Sequence, residues 1–128
     1  MSGRVEWGLL AGRLILGIIM LAHGIQKLAG IENTIAIFEK IGQPAWLAYV
    51  TAIVEAIGGA SLILGIFVVP SAIILGMTMV GAIVLAKLPM GLIGGFEFPL
   101  SLLGLSIILA VTGSRKYSLS SVVTSQRS

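Results

Sequence analysis

The sequence predicts an all-α integral membrane protein: a four-transmembrane-helix bundle with a short interfacial helix between helices one and two. Three observations carry this. Of the 128 residues, 57% are hydrophobic and 10% are charged, whereas soluble domains carry about 25% charged residues. The mean hydropathy is +1.10. The apolar residues also gather into continuous segments near the length of about 20 residues that a bilayer core asks of a helix. A soluble fold of this size needs more polar surface than the chain can supply. An ordinary cytosolic enzyme, a disordered chain and a nucleic-acid-binding domain are therefore excluded. Barrel strands are excluded because the apolarity is continuous, not alternating.

The first helix is expected over about 7–28. Arg4 precedes it, as a basic residue precedes a signal peptide, but Met20-Leu21-Ala22 lacks a small residue at its first position and the run is long. It is therefore expected to stay attached. Between Gly30 and Pro44, Ile31, Ile35, Phe38 and Ile41 recur at helical spacing, while Glu32, Glu39 and Lys40 lie elsewhere. Gly42 can end a helix and Pro44 cannot continue one. This reads as a short amphipathic helix on the membrane surface, with a plain loop as the alternative. The second and third helices, about 46–67 and 69–86, are joined by a tight uncharged turn centred on Val68, Val69 and Pro70. A Gly-rich connection, Lys87 to Gly95, leads to the fourth helix, about 97–113. Pro99 suits its first turn, and Glu97 lies near its positive end. Residues 1–119 form the membrane domain, and 120–128 form a polar tail expected to be flexible.

Four spans place both termini on one side. That side carries Arg4, Arg115, Lys116 and Arg127, against Lys27, Lys40 and Lys87 on the other. The bias favours cytoplasmic termini in a cell (plasma or inner) membrane. The formal net charge of +3 is scattered and without interleaved aromatics, so no nucleic-acid partner is expected. There is no cysteine and one histidine. Within one chain this excludes disulfides, iron–sulfur clusters, zinc–thiolate sites and a haem held by two histidines. No metal site and no covalently bound cofactor are expected. Redox chemistry would use a bound organic molecule, a partner's cofactor or the substrate itself.

Charged groups inside a membrane helix are costly and face a bundle interior or a wet cavity. On helix one, Arg13, Gly17, Met20, Gly24 and Lys27 share a stripe, with His23 at its edge and Gln26 toward the other side. On helix two, Thr51, Glu55, Gly58, Leu62 and Gly65 share another. Small residues let such stripes approach closely. Glu55 lies mid-helix and is the strongest candidate for handling protons, with His23 beside it. An antiparallel depth count places Glu55 between the levels of His23 and Arg13, so an Arg13–Glu55 ion pair or a Glu55–His23 hydrogen bond is expected. Arg13, Gln26, Phe96, Glu97 and Phe98 are candidate lining for a pocket, the aromatics by stacking on a flat ligand. A purely structural role, as helix glue or interfacial anchor, is the competing reading of each. Lys27 reads as an interfacial residue.

The stretches Arg13-Leu14-Ile15-Leu16-Gly17, Ala22-His23-Gly24-Ile25-Gln26-Lys27-Leu28 and Val54-Glu55-Ala56-Ile57-Gly58-Gly59 come in that order. They are followed by Lys87-Leu88-Pro89-Met90-Gly91, Gly94-Gly95-Phe96-Glu97-Phe98-Pro99 and Gly113-Ser114-Arg115-Lys116-Tyr117-Ser118-Leu119. In this the chain resembles the DoxX family of small four-helix membrane proteins, from about Leu10 to Leu119. The resemblance implies a redox-associated membrane subunit. The family name comes from a thiosulfate:quinone oxidoreductase, and some relatives resemble accessory subunits in responses to oxidants, thiols, quinones or catechols.

The expectation is thus a quinone-linked oxidoreductase or its accessory subunit, with a membrane quinone as the non-covalent ligand. Besides the bilayer, the partners expected are a soluble or membrane redox protein and further copies of the chain. Two other classes stay open: a small proton-coupled transporter or exporter built on Glu55, and a non-catalytic membrane assembly subunit.

Overall fold

The structure, a computed structural model, describes residues 3–115 and 118. The flexible tail expected over 120–128 lies outside the described residues. Helix α1 runs Gly3–Ala29, α2 Ile31–Lys40, α3 Ala45–Leu64, α4 Val68–Ala82 and α5 Glu97–Thr112. The chain is an all-helical membrane protein with four candidate spans: Gly3–Ala29, Ala45–Leu64, Val68–Met90 and Leu92–Thr112. Among the described residues there is no strand.

The principal packing pairs are α1 with α3 and α4 with α5; α3–α4 and α1–α5 contacts close the bundle. Lipid tails are as apolar as leucine, so membrane helices associate through close packing and polar contacts, not through apolar burial. The α1–α3 contact shows this directly. The stripe Arg13, Gly17, Met20 and Gly24 is buried, as are Glu55, Gly58, Gly59 and Leu62 opposite. A Cβ on Gly24 would collide with the backbone of Ala56, and one on Gly59 with the backbone of Leu21. Leu16, Met20, Leu62, Leu75, Leu102 and Leu109 fill the centre of the bundle.

The turn between α3 and α4 lies earlier than the sequence suggests. Gly65 takes the left-handed conformation (φ 74°) that ends α3, and Phe67 follows at φ 48°. Val69 and Pro70, expected in the turn, sit in the first turn of α4, where a missing N–H costs nothing. Arg13 is buried beneath this turn, and its guanidinium donates to the Ser114 carbonyl at 3.2 Å. It thereby ties α1 to the segment that leaves α5, and Ser118 packs against Gly65. The start of α1 and the end of α5 lie toward this end of the bundle.

At the opposite end, α2 is a helix, not a loop. Its face of Ile31, Ile35, Phe38 and Ile41 is half-buried, resting on α3 and the end of α1. The Thr34 hydroxyl joins it to α1 through the Lys27 and Gly30 carbonyls, both at 3.1 Å. The expected Gly-rich connection after α4 is shorter than its sequence implies. The helix continues through a wide π turn, Ile83–Lys87, and a tight one, Leu88–Met90. Gly91 (φ 79°) then reverses the chain. The following turn is closed by Phe96 N–H donating to Gly91 O at 3.0 Å and by Gly94 N–H donating to the Glu97 carboxylate at 2.9 Å.

Three outcomes follow for stability, each read by thermal unfolding in lipid or mild detergent. Gly59→Ala destabilises by about 1–3 kcal/mol because it forces α1 and α3 apart. Gly104→Ala, whose Cβ meets nothing within 4 Å, is neutral or gains up to about 1 kcal/mol. Arg13→Met leaves the Ser114 carbonyl without its charged donor and costs about 1.5–3 kcal/mol.

Candidate functional site

The α1–α3 crossing decides which polar groups meet. Gly24 lies against Ala52 and Ala56, and Gly17 against Gly59 and Ile63. Glu55 is therefore level with Gly24, and Arg13 is level with the Gly65 turn. Arg13 and Lys27 are separated by about 21 Å along α1 at 1.5 Å per residue. The expected Arg13–Glu55 pair does not form. One turn beyond Gly24, Lys27 reaches back and its Nζ meets Glu55 Oε2 at 2.5 Å. This is the ion pair found among the described residues.

The pair is asymmetric in exposure. The Glu55 side chain is 3% exposed and that of Lys27 is 26% exposed. A carboxylate this deep in an apolar bundle needs a partner. A lysine in the last turn of α1 supplies it at the helix's negative end. The expected Glu55–His23 hydrogen bond is not present among the described contacts. The His23 ring packs on Phe98, with centroids 5.6 Å apart and planes inclined by 33°.

Two cavities flank the ion pair. The smaller, about 250 Å³, lies between α1, α4 and α5 and is lined by Met20, His23, Phe98, Pro99 and Leu102. The larger, about 560 Å³, lies under α2 between α3 and α4, with walls from Phe38, Val50, Val54, Ile74 and Met77. Lys27, Glu55 and Lys87 border both. The arrangement is a charged partition between two apolar chambers. Its polar atoms can donate to an oxygen, accept a proton or hold an acidic group.

Of the residues singled out in the sequence, Glu55, His23 and Phe98 come together here. The others lie elsewhere. Arg13 is at the far end of the bundle, Gln26 is exposed, and Glu97 is exposed and engaged with the Gly94 N–H. Phe96 is half-buried and lines neither cavity. Lys27 and Lys87 were not expected as site residues. The signal for Lys27 was its place on the same stripe as Gly24. Lys87 gave no comparable signal, because the π turn that directs it is not visible as a pattern.

The comparisons with known proteins agree with this architecture. A Bacillus subtilis protein described as "Putative oxidoreductase CatD" is 42% identical over 115 residues, covering 90% of this chain and 86% of its own length. An uncharacterised membrane protein of Mycobacterium tuberculosis is 39% identical over 87 residues, covering 66% of this chain and 53% of its own length. No solved structure matches. The DoxX family model matches residues 8–88, the stretch that holds most of α1 and Lys27, Glu55 and Lys87. With the family model and the Bacillus relative together spanning most of its length, the chain belongs to the DoxX family.

Proposed function

We propose that this protein is a redox-associated subunit of the cell membrane, with cytoplasmic termini, that works with a membrane quinone. The observation that carries the reading is the Lys27–Glu55 ion pair, set at the wall of a cavity that also holds the His23–Phe98 ring pair. The name of the Bacillus relative supports the same class.

The residues present fit a quinone head group. The smaller cavity is bounded by a ring face, Phe98, and by apolar Met20, Pro99 and Leu102. His23 makes no hydrogen bond among the described residues, so a ring nitrogen is open to an oxygen in that cavity. When bound, a quinone supplies an acceptor for two electrons and two protons. Phe98 would offer a ring face to the head group and His23 would hydrogen-bond a quinone carbonyl oxygen. Lys27 holds the Glu55 carboxylate in place, and Glu55 holds or gives up the proton at the cavity wall. Electrons come from a small reductant or a redox partner.

The test is purification of the wild type and of Glu55→Gln in native lipid, with mass spectrometry of the quinones and proteins that copurify. Stoichiometric quinone in the wild type, lost in Glu55→Gln and in His23→Leu, is the expected result. Turnover with a reductant then falls about a hundredfold or more in Glu55→Gln, the scale of a lost proton-transfer group. A wild type without quinone but with a constant protein partner overturns the quinone site and makes the chain an anchor. Full turnover in Glu55→Gln overturns the role of Glu55.

The stability of the pair separates function from glue. Lys27→Met leaves a buried carboxylate without its bonded ammonium and destabilises by about 2–4 kcal/mol, reduced from the fully buried case by the partial exposure of Lys27. Glu55→Gln keeps the shape and removes the charge, so it costs less. Unfolding midpoints of the two variants in the same lipid check this order.

A further inference from the structure

We propose that the larger cavity binds a single-chain amphipathic acid, with its carboxylate on Lys87 and its alkyl tail between α3 and α4. The reading does not depend on the quinone, whose head group belongs to the smaller chamber.

The charge at the shared partition is unbalanced. Two ammonium groups, Lys27 and Lys87, face one carboxylate, Glu55. Lys27 Nζ is engaged with Glu55. Lys87 is half-buried and has no hydrogen bond or ion pair among the described residues. The other carboxylates near this end, Glu97 and the α2 residues Glu32 and Glu39, are exposed and line neither cavity, and Glu97 accepts from the Gly94 N–H. A partly buried cation at the head of an apolar chamber is complementary to an anion carrying an apolar body.

The shape specifies that body. At about 560 Å³ the cavity falls within the range of about 300–1,000 Å³ typical of small-molecule sites. Several of its walls are exposed on the bundle surface, Met77 by 69%, Ile74 by 49% and Val50 by 46%. It therefore opens sideways, toward lipid. Its charged end lies beside α2, at the end of the span, and Ile74 lies about 20 Å deeper along α4 at 1.5 Å per residue. An acid entering from the bilayer would hold the orientation it has in a leaflet, head at the surface and tail inward. A tail gains little by leaving one apolar phase for another, so recognition depends on the charge at Lys87 and on the shape of the chamber.

The test uses the full chain in phosphatidylcholine nanodiscs with photoreactive palmitate, its labelled peptides mapped by mass spectrometry. Expected is saturable labelling of α3 and α4 that unlabelled palmitate displaces. Hexadecanol, with the same tail and no charge, competes at least about tenfold less well, and Lys87→Gln weakens palmitate by a similar factor. Gly81→Leu puts a side chain into the open chamber, since nothing lies within 4 Å of its Cβ. It keeps the unfolding midpoint, abolishes labelling and leaves copurified quinone unchanged. Equal competition by hexadecanol, unaltered binding in Lys87→Gln, or a copurifying two-chain phospholipid that palmitate cannot displace would each overturn the proposal. Loss of quinone together with palmitate in Gly81→Leu would merge the two chambers into one site. That outcome overturns the acid site and leaves the quinone reading standing.

Discussion

The backbone-to-backbone contact of α1 with α3 is the constraint on which the rest of the molecule depends. Gly17, Gly24 and Gly59 leave no room for a side chain at the crossing, so the two helices meet at one depth. That depth sets Glu55 level with Gly24 and within reach of Lys27. A shift of one helical turn would separate the charges and leave a carboxylate buried without a partner. Steric fit and charge satisfaction thus select the same register, and each guards the other against slippage.

The two ends of the bundle solve different problems. At the end where α5 finishes, Arg13 is buried under the Gly65 turn and bonded to the Ser114 carbonyl, so it ties α1 to the segment leaving α5. At the other end the backbone departs from regular helix. Irregular backbone at membrane depth is tolerated where protein satisfies its polar groups, and here local bonds at Gly91 and Gly94 do so. Wide π turns often occur at functional sites. The one at Ile83–Lys87 ends on Lys87, which borders both cavities. The fold is closed by the Arg13 contacts at one end and keeps two cavities at the other.

Much of the fold was legible from the residues. Continuous apolarity defined the spans, small residues at helical spacing marked the faces of α1 and α3, and Gly42 with Pro44 bounded α2. The α3–α4 turn was misplaced because Val69 and Pro70 look like a break, whereas a proline in a helix's first turn is harmless and Gly65 makes the reversal. The candidate site was less legible. Glu55, His23 and Phe98 stood out by type and do meet around the cavities, but Arg13 lies level with the Gly65 turn, about 16 Å along α1 from Gly24 and out of reach of Glu55.

The sequence by itself determined that this chain spans a membrane with four helices, that Glu55 must find a partner inside it, and which faces of α1 and α3 turn inward. These follow from local chemistry: hydropathy, periodicity and the cost of charge in an apolar medium. Only the tertiary structure decided that the partner is Lys27, that Arg13 serves the opposite end, and that Lys87 borders two chambers. Those outcomes depend on the depth at which two helices cross and on a single turn of widened helix. Both are set by packing between residues far apart in the chain.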